Sequence, residues 1–281
     1  PPPPIFFFKL KTSYDISLVL VVSEMCIRDR PTPANYDIKL PGSAKPTDAM
    51  FSLDKDVLST AIHQEKSYDD FGRQKLLPNK SSQLGPGMAW GDIDGDGDDD
   101  IFIGGSAGFV GMLFLNLGGG QYKNTLLLCF NDDIRSEDMG SLFIDFDRDG
   151  DLDLYVVSGG VECEPGEAVL RDRLYINDGT GKFSKGSLDL LPDIRSSGSV
   201  VAAADIDGDS ILELFVGGRI IPGNYPESPQ SYILRYTGSK YEDATNFFAP
   251  EIKLLGMVTS GLFTDVDNDH HPDLLVTYEW G

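Results

Sequence analysis

Acidic residues recur at alternate positions in four nonapeptides: Asp92-Ile-Asp-Gly-Asp-Gly-Asp-Asp-Asp100, Asp145-Phe-Asp-Arg-Asp-Gly-Asp-Leu-Asp153, Asp205-Ile-Asp-Gly-Asp-Ser-Ile-Leu-Glu213 and Asp265-Val-Asp-Asn-Asp-His-His-Pro-Asp273. Each copy puts a carboxylate at positions 1, 3, 5 and 9. Two carboxylates about 4 Å apart repel by roughly 4 kcal/mol at an effective dielectric near 20, so four on one tight loop call for a cation. Calcium suits them best, because it takes roughly six to eight oxygens at about 2.3–2.6 Å in tolerant geometry, whereas magnesium demands a near-ideal octahedron and keeps its waters. The spacing therefore predicts four Ca2+ loops, with position 7 offering a backbone carbonyl. The expected ligands are Asp92, Asp94, Asp96, Asp98 and Asp100 in the first loop and Asp145, Asp147, Asp149, Asp151 and Asp153 in the second. The third supplies Asp205, Asp207, Asp209, Ile211 and Glu213, and the fourth Asp265, Asp267, Asp269, His271 and Asp273.

Simpler explanations fail on the repetition. A single acidic run is usually a solvated face, but four copies in phase are not. The EF-hand shares the opening Asp-x-Asp-x-Asp but needs a bidentate Glu at position 12. Ile103, Val156, Val216 and Val276 stand there instead. A nonapeptide β-helix would repeat every nine residues or so, whereas these copies start at 92, 145, 205 and 265. The turn glycine at position 6 is present as Gly97 and Gly150 but replaced by Ser210 and His270. Affinity is therefore expected to fall from loops one and two to loop three and then loop four. The side chains of His270 and His271 are expected to face solvent, since calcium prefers oxygen donors.

The loops need strands on both sides. An apolar run follows each one: Ile101-Phe-Ile103, Leu154-Tyr-Val-Val157, Leu214-Phe-Val216 and Leu274-Leu-Val276, the first three leading to a glycine pair. Further on come Leu113-Phe-Leu-Asn116, Leu174-Tyr-Ile-Asn177 and Tyr232-Ile-Leu-Arg235, each followed by a turn and an aromatic residue. Asn177-Asp-Gly-Thr-Gly181 reads as a hairpin turn. Consecutive apolar positions, rather than alternating ones, imply strands buried on both faces. Sheets stacked between other sheets have that property, and the intervals of 53, 60 and 60 residues are slightly longer than the roughly 40–50 of common propeller blades. The expected fold is all-β: a partial β-propeller of about three and a half blades.

The modules resemble FG-GAP/VCBS repeats, the calcium-loop blades of integrin-α-like propellers. From about residue 66 onward the chain is also similar to bacterial relatives of cartilage acidic protein that carry ASPIC/UnbV regions. That similarity rests on Tyr68-Asp-Asp-Phe71, Leu76-Leu-Pro78, Ser82-Gln-Leu-Gly-Pro86, Asp172-Arg-Leu-Tyr175, Gly217-Gly-Arg219, Pro222-Gly-Asn-Tyr-Pro226 and Leu255-Gly-Met-Val258, together with the loops. The resemblance implies a secreted or surface-exposed, calcium-binding, non-catalytic module.

Residues 1–30 are set apart from the native fold. Met25-Cys-Ile-Arg-Asp-Arg30 back-translates to a sequence that resembles the transposase-end adapter of sequencing libraries, and such scars are excluded from fold reasoning. The apolar run at 16–22 is then neither signal peptide nor span, and it is far short of about 20 residues. Residues 31–83 are expected to be a lead-in that contributes strands to a neighbouring blade, and 84–281 the repeats. The last repeat is expected to be cut short at Tyr278-Glu-Trp-Gly281.

A formal charge of −22 argues against nucleic acid and anionic membranes as partners, since both bind basic surfaces, and no membrane insertion is expected. Four calcium ions would offset about eight of those charges. Cys129 and Cys163 are left open between one disulfide and two buried thiols. No phosphate loop or zinc motif is present, and His63 reads as a surface or strand histidine. The chain is therefore not expected to be an enzyme. Its expected role is extracellular, outer-surface or periplasmic binding, adhesion or scaffolding, with a protein or polysaccharide ligand. The alternative is the calcium-dependent propeller of a polysaccharide lyase, whose general base would come from the loops at 161–173 and 221–230.

Overall fold

The computed structural model of the chain describes residues 7–11, 15–20 and 57–279. Three successive segments each fold into a four-stranded antiparallel meander. The first is β3 (Met88–Gly91), β4 (Asp100–Ile103), β5 (Met112–Asn116) and β6 (Tyr122–Thr125). The second is β7 (Glu137–Ile144), β8 (Asp153–Gly159), β9 (Arg173–Asn177) and β10 (Phe183–Lys185). The third is β11 (Ser197–Ala204), β12 (Glu213–Ile220), β13 (Tyr232–Tyr236) and β14 (Tyr241–Asp243). A fourth unit begins alike, with the antiparallel hairpin β15 (Val258–Thr264) and β16 (Asp273–Tyr278).

Sequence reading excludes residues 1–30 from the fold, yet in the structure β1 (Phe7–Lys11) and β2 (Asp15–Leu20) form a hairpin beside β16. Strand β2 runs parallel to β16, whereas the third strand of every other blade is antiparallel to the second. The Met25–Arg30 motif, Cys26, residues 31–56 and Trp280-Gly281 lie outside the described residues.

The first strands β3, β7, β11 and β15 neighbour one another in turn, so the sheets radiate like blades from an axis. They describe an open arc, a partial propeller. Close approach at the axis needs glycine: a Cβ on Gly140 would lie 3.0 Å from the Val200 Cα and 3.1 Å from the Ser199 carbonyl oxygen. The second strands are buried on both faces, as their unbroken apolar runs require. Along β8, Leu154 and Val156 pack toward the first blade with Phe102, Leu113 and Phe130. Tyr155 and Val157 pack toward the third with Val201, Leu214 and Val216. In β12 Phe215 turns the other way, against Val258, Leu274 and Val276 of the fourth unit. Each such side chain, fully buried, contributes about 1.5–3 kcal/mol.

Residues 57–83, part of the segment expected to add strands to a neighbouring blade, hold no strand, because their largely polar run bonds to loops instead of a sheet edge; a four-residue helix, α1 (Asp70–Arg73), is their only helix. The Asp69 side chain caps it by accepting from the Gly72 N–H. The buried Asp70 carboxylate accepts from the backbone of Ser81 and Ser82 and from the Ser82 hydroxyl. This segment lies across the glycine-pair end of three blades. The Ser106 hydroxyl donates to the Gln64 carbonyl, and Arg73 Nη1 donates to the carbonyls of Val161 (2.9 Å) and Cys163 (2.7 Å). Gln74 exchanges hydrogen bonds with the Tyr225 backbone. Cys129 and Cys163 are unpaired thiols. No helix among the described residues is long and apolar enough to cross a membrane.

Candidate metal centres

Each aspartate loop connects the first strand of a blade to its second, so all four lie at the end of the sheets opposite the glycine pairs. Positions 4 and 6 adopt left-handed backbone in every copy: Gly95 and Gly97, Arg148 and Gly150, Gly208 and Ser210, Asn268 and His270. That conformation folds the loop back over the position-1 carboxylate, which collects backbone N–H groups. Asp92 accepts from Gly95, Asp96 and Gly97 at 2.8–3.1 Å. Asp205 accepts from Gly208, Asp209 and Ser210, and Asp265 from Asp269 and His270. Position 5 accepts from the N–H of position 7 in all four loops.

The acids converge as the spacing requires. Ligand atoms of Asp92, Asp94 and Asp96 lie within 4.8 Å of one another, as do those of Asp145, Asp147 and Asp149, of Asp205, Asp207 and Glu213, and of Asp265, Asp267 and Asp269. Asp94 Oδ1, Asp145 Oδ1, and in the third loop Asp207 Oδ1 and Glu213 Oε1, are buried and accept no hydrogen bond. An orphaned buried carboxylate oxygen is costly, and a divalent cation held among its neighbours would satisfy it. Burial raises the Asp94 and Asp147 pKa values, with repulsion from Asp96 and Asp149 adding to it. The residues of the first two loops thus fit a calcium ion.

Position 9 has a different surrounding from positions 1, 3 and 5. Asp100 and Asp153 are buried, and each divides its two oxygens between two backbone donors. Asp100 accepts from the N–H of Ile93 (3.0 Å) and Asn116 (2.7 Å), and Asp153 from Phe146 (3.1 Å) and Asn177 (2.8 Å). Asp273 accepts from Val266. Position 9 thus ties the loop to its own start and, in the first two blades, to the third strand. Burial pushes Asp153 up to about 6 against the pull of those N–H donors. Only Glu213, one methylene longer, reaches into its three-acid cluster, and burial pushes it up to about 7. In the third loop Glu213 stands where position 5 stands in the others, and Asp209 lies outside the three-acid cluster; the backbone carbonyls expected from Asp98, Asp151, Ile211 and His271 at position 7 are not part of these side-chain clusters.

The third strands carry partners that the loop spacing does not reveal. The Asn116 amide donates to the Asp99 carbonyl, and that of Asn177 to the Leu152 carbonyl and, across to the first blade, to the Ile93 carbonyl at 2.7 Å. In the third blade the Tyr241 hydroxyl takes over this task, donating to the Leu212 carbonyl. A strand ending in Asn just before a glycine turn was the available signal.

The loops at 161–173 and 221–230 share the opposite end, beneath Arg73 and Gln74. A cavity of about 220 Å³ opens there, lined by Lys66, Arg135, Glu137, Gly160, Glu162 and Cys163 among others. Burial pushes Glu137 up to about 8 despite the N–H of Ala107. His63 is half-buried, with Nε2 2.6 Å from Glu65 Oε1.

Radiating antiparallel sheets with an acidic loop between first and second strands define a propeller-like repeat module. The FG-GAP-like repeat matches this chain twice, over residues 92–156 and 145–216. These matches support an FG-GAP repeat protein; they take in the first three loops and end within β12. A comparison with curated proteins finds no match.

Proposed function

We propose that this chain is a calcium-binding, non-catalytic β-propeller module, acting outside the cytoplasm in binding, adhesion or scaffolding toward a protein or polysaccharide ligand. The supporting observation is the convergence of three carboxylates in each of four loops, with buried oxygens of Asp94, Asp145 and Asp207 lacking any donor. The kinship with relatives of cartilage acidic protein, carried by the motifs quoted above, belongs to the same proposal. Extracellular calcium modules bind with dissociation constants of roughly 10⁻⁴–10⁻³ M, so millimolar calcium adds on the order of 1 kcal/mol per site. Melting in EDTA and in calcium tests this: the midpoint should rise with calcium, and an unchanged transition sinks the reading. Asp94→Ala and Asp147→Ala should each remove the calcium equivalent of their own loop and about 1–3 kcal/mol of the stability measured in calcium.

The second reading, a polysaccharide lyase, draws on the cavity beside the 161–173 loop and on Glu137, a carboxyl poised for proton transfer near neutral pH. Against it, the cavity and the aspartate loops stand at opposite ends of the sheets, so a metal-bound substrate would lie far from that base. Release of unsaturated products from acidic polysaccharide, abolished by Glu137→Gln, would favour the enzyme.

A further inference from the structure

The third loop differs from its neighbours in two ways that meet at one point. Its position 9 is the longer Glu213, which joins Asp205 and Asp207 in the cluster. Its blade also places an arginine beside the loop. In β5, β9 and β13 the residues Phe114, Tyr175 and Leu234 pair with equivalent positions Ile101, Leu154 and Leu214. The next residue along is Leu115 in the first blade and Ile176 in the second, but Arg235 in the third.

Arg235 Nη2 lies 2.6 Å from Asp207 Oδ2 and 3.0 Å from Asp209 Oδ2, and its Nε lies 3.7 Å from Glu213 Oε1. On the other side, the guanidinium carbon stands 5.7 Å from the centroid of the buried Phe248 ring, so stacking holds the side chain over the acids. The guanidinium is charged at every accessible pH. A calcium ion bonded to Asp207 at about 2.3–2.6 Å would sit against this fixed positive charge. Arg235 leaves Asp207 Oδ1 and Glu213 Oε1 without a hydrogen bond, but an ion reaching them would have to share the loop with that charge.

We propose that Arg235 is the resident cation of the third loop, neutralising it as calcium does in the neighbouring loops and making this blade independent of the metal. The inference rests on the calcium reading of the other loops. It gives Glu213 a purpose as well, since the longer side chain brings a third acid toward the guanidinium.

The test compares wild type, Arg235→Leu, Arg235→Lys and Asp207→Asn by calcium titration calorimetry and by melting in EDTA. Arg235→Leu restores the aliphatic residue of the first blade. It should gain one calcium equivalent over wild type, lose that equivalent when Asp207→Asn is added, and melt about 3–8 °C lower in EDTA. Arg235→Lys keeps the charge and should melt close to wild type in EDTA. Asp207→Asn alone should leave the calcium equivalents unchanged, a result that does not depend on the leucine variant folding. The inference is overturned if Asp207→Asn removes one equivalent, or if Arg235→Leu melts like wild type in EDTA. Failure of wild type to bind any calcium instead overturns the calcium reading, and the EDTA melts still decide whether Arg235 holds the loop.

Discussion

Positions 4 and 6 of each loop need left-handed backbone, and the sequence supplies glycine at only some of them. Arg148, Ser210, Asn268 and His270 adopt φ values of 61–68°, which for residues other than glycine and asparagine costs roughly 1–2 kcal/mol. Ser210→Gly and Arg148→Gly should therefore each stabilise the chain, by about 0.5–1 kcal/mol after the greater freedom of glycine in the unfolded state is counted. Urea denaturation curves would show it, and a loss of stability would mean that these side chains hold the loop in some other way. A second residue-scale expectation concerns Glu137, which faces Glu65, Glu162 and Asp138. Folded, it keeps its proton up to about pH 8, against an ordinary 4.5. The folded chain therefore binds more protons than the unfolded chain between those values, and stability falls as pH rises through that window. Glu137→Gln removes this titration while keeping an acceptor for Ala107. The melting temperature of the variant should drop less between pH 5 and about 8.5, and an unchanged pH profile would count against the burial argument.

At the scale of elements, the end of a third strand adds a polar tie between the first and second blades to their apolar packing. Asn177 bonds the Ile93 carbonyl in one loop and the Leu152 carbonyl in the next, while its N–H supports Asp153. Asn177→Ala should cost about 1–3 kcal/mol and weaken calcium uptake in the first and second loops together; calorimetry showing both sites intact would dispose of that link. Asp-x-Asp-x-Asp and the apolar runs after it are local, contiguous signals, and they disclosed the loops, the second strands and the two-sided burial. Asn116, Asn177 and Arg235 act on loops 17, 25 and 26 residues behind them, and Asn177 also on one 84 residues behind, and a single polar residue at a strand end carries no period to mark it. The left-handed fourth position was hidden for a similar reason: Gly, Arg, Gly and Asn share a conformation but no chemistry. Position 9 was legible as conserved in charge across the four copies, yet its engagement with the third strand depends on a pairing the nonapeptide does not contain.

Across the whole molecule, the lead-in was the least legible part. Its composition gives no strand or helix period, and its role emerges only where Gln64, Arg73 and Gln74 meet three different blades. Arg73→Ala, which removes two hydrogen bonds to the 161–173 loop, one to Tyr68 and the ion pair with Glu164, should cost about 2–4 kcal/mol and make the 161–173 loop easier to cleave; equal protease resistance would show that the contacts are incidental. Small-angle scattering of the same variant should report a larger radius of gyration. The reason is mechanical. Four blades packed side by side form an arch, and an arch under load spreads at its feet unless something takes up the thrust. A segment bonded to three blades along one rim is a tie rod, resisting that spread from the rim opposite the aspartate loops and without touching any of them.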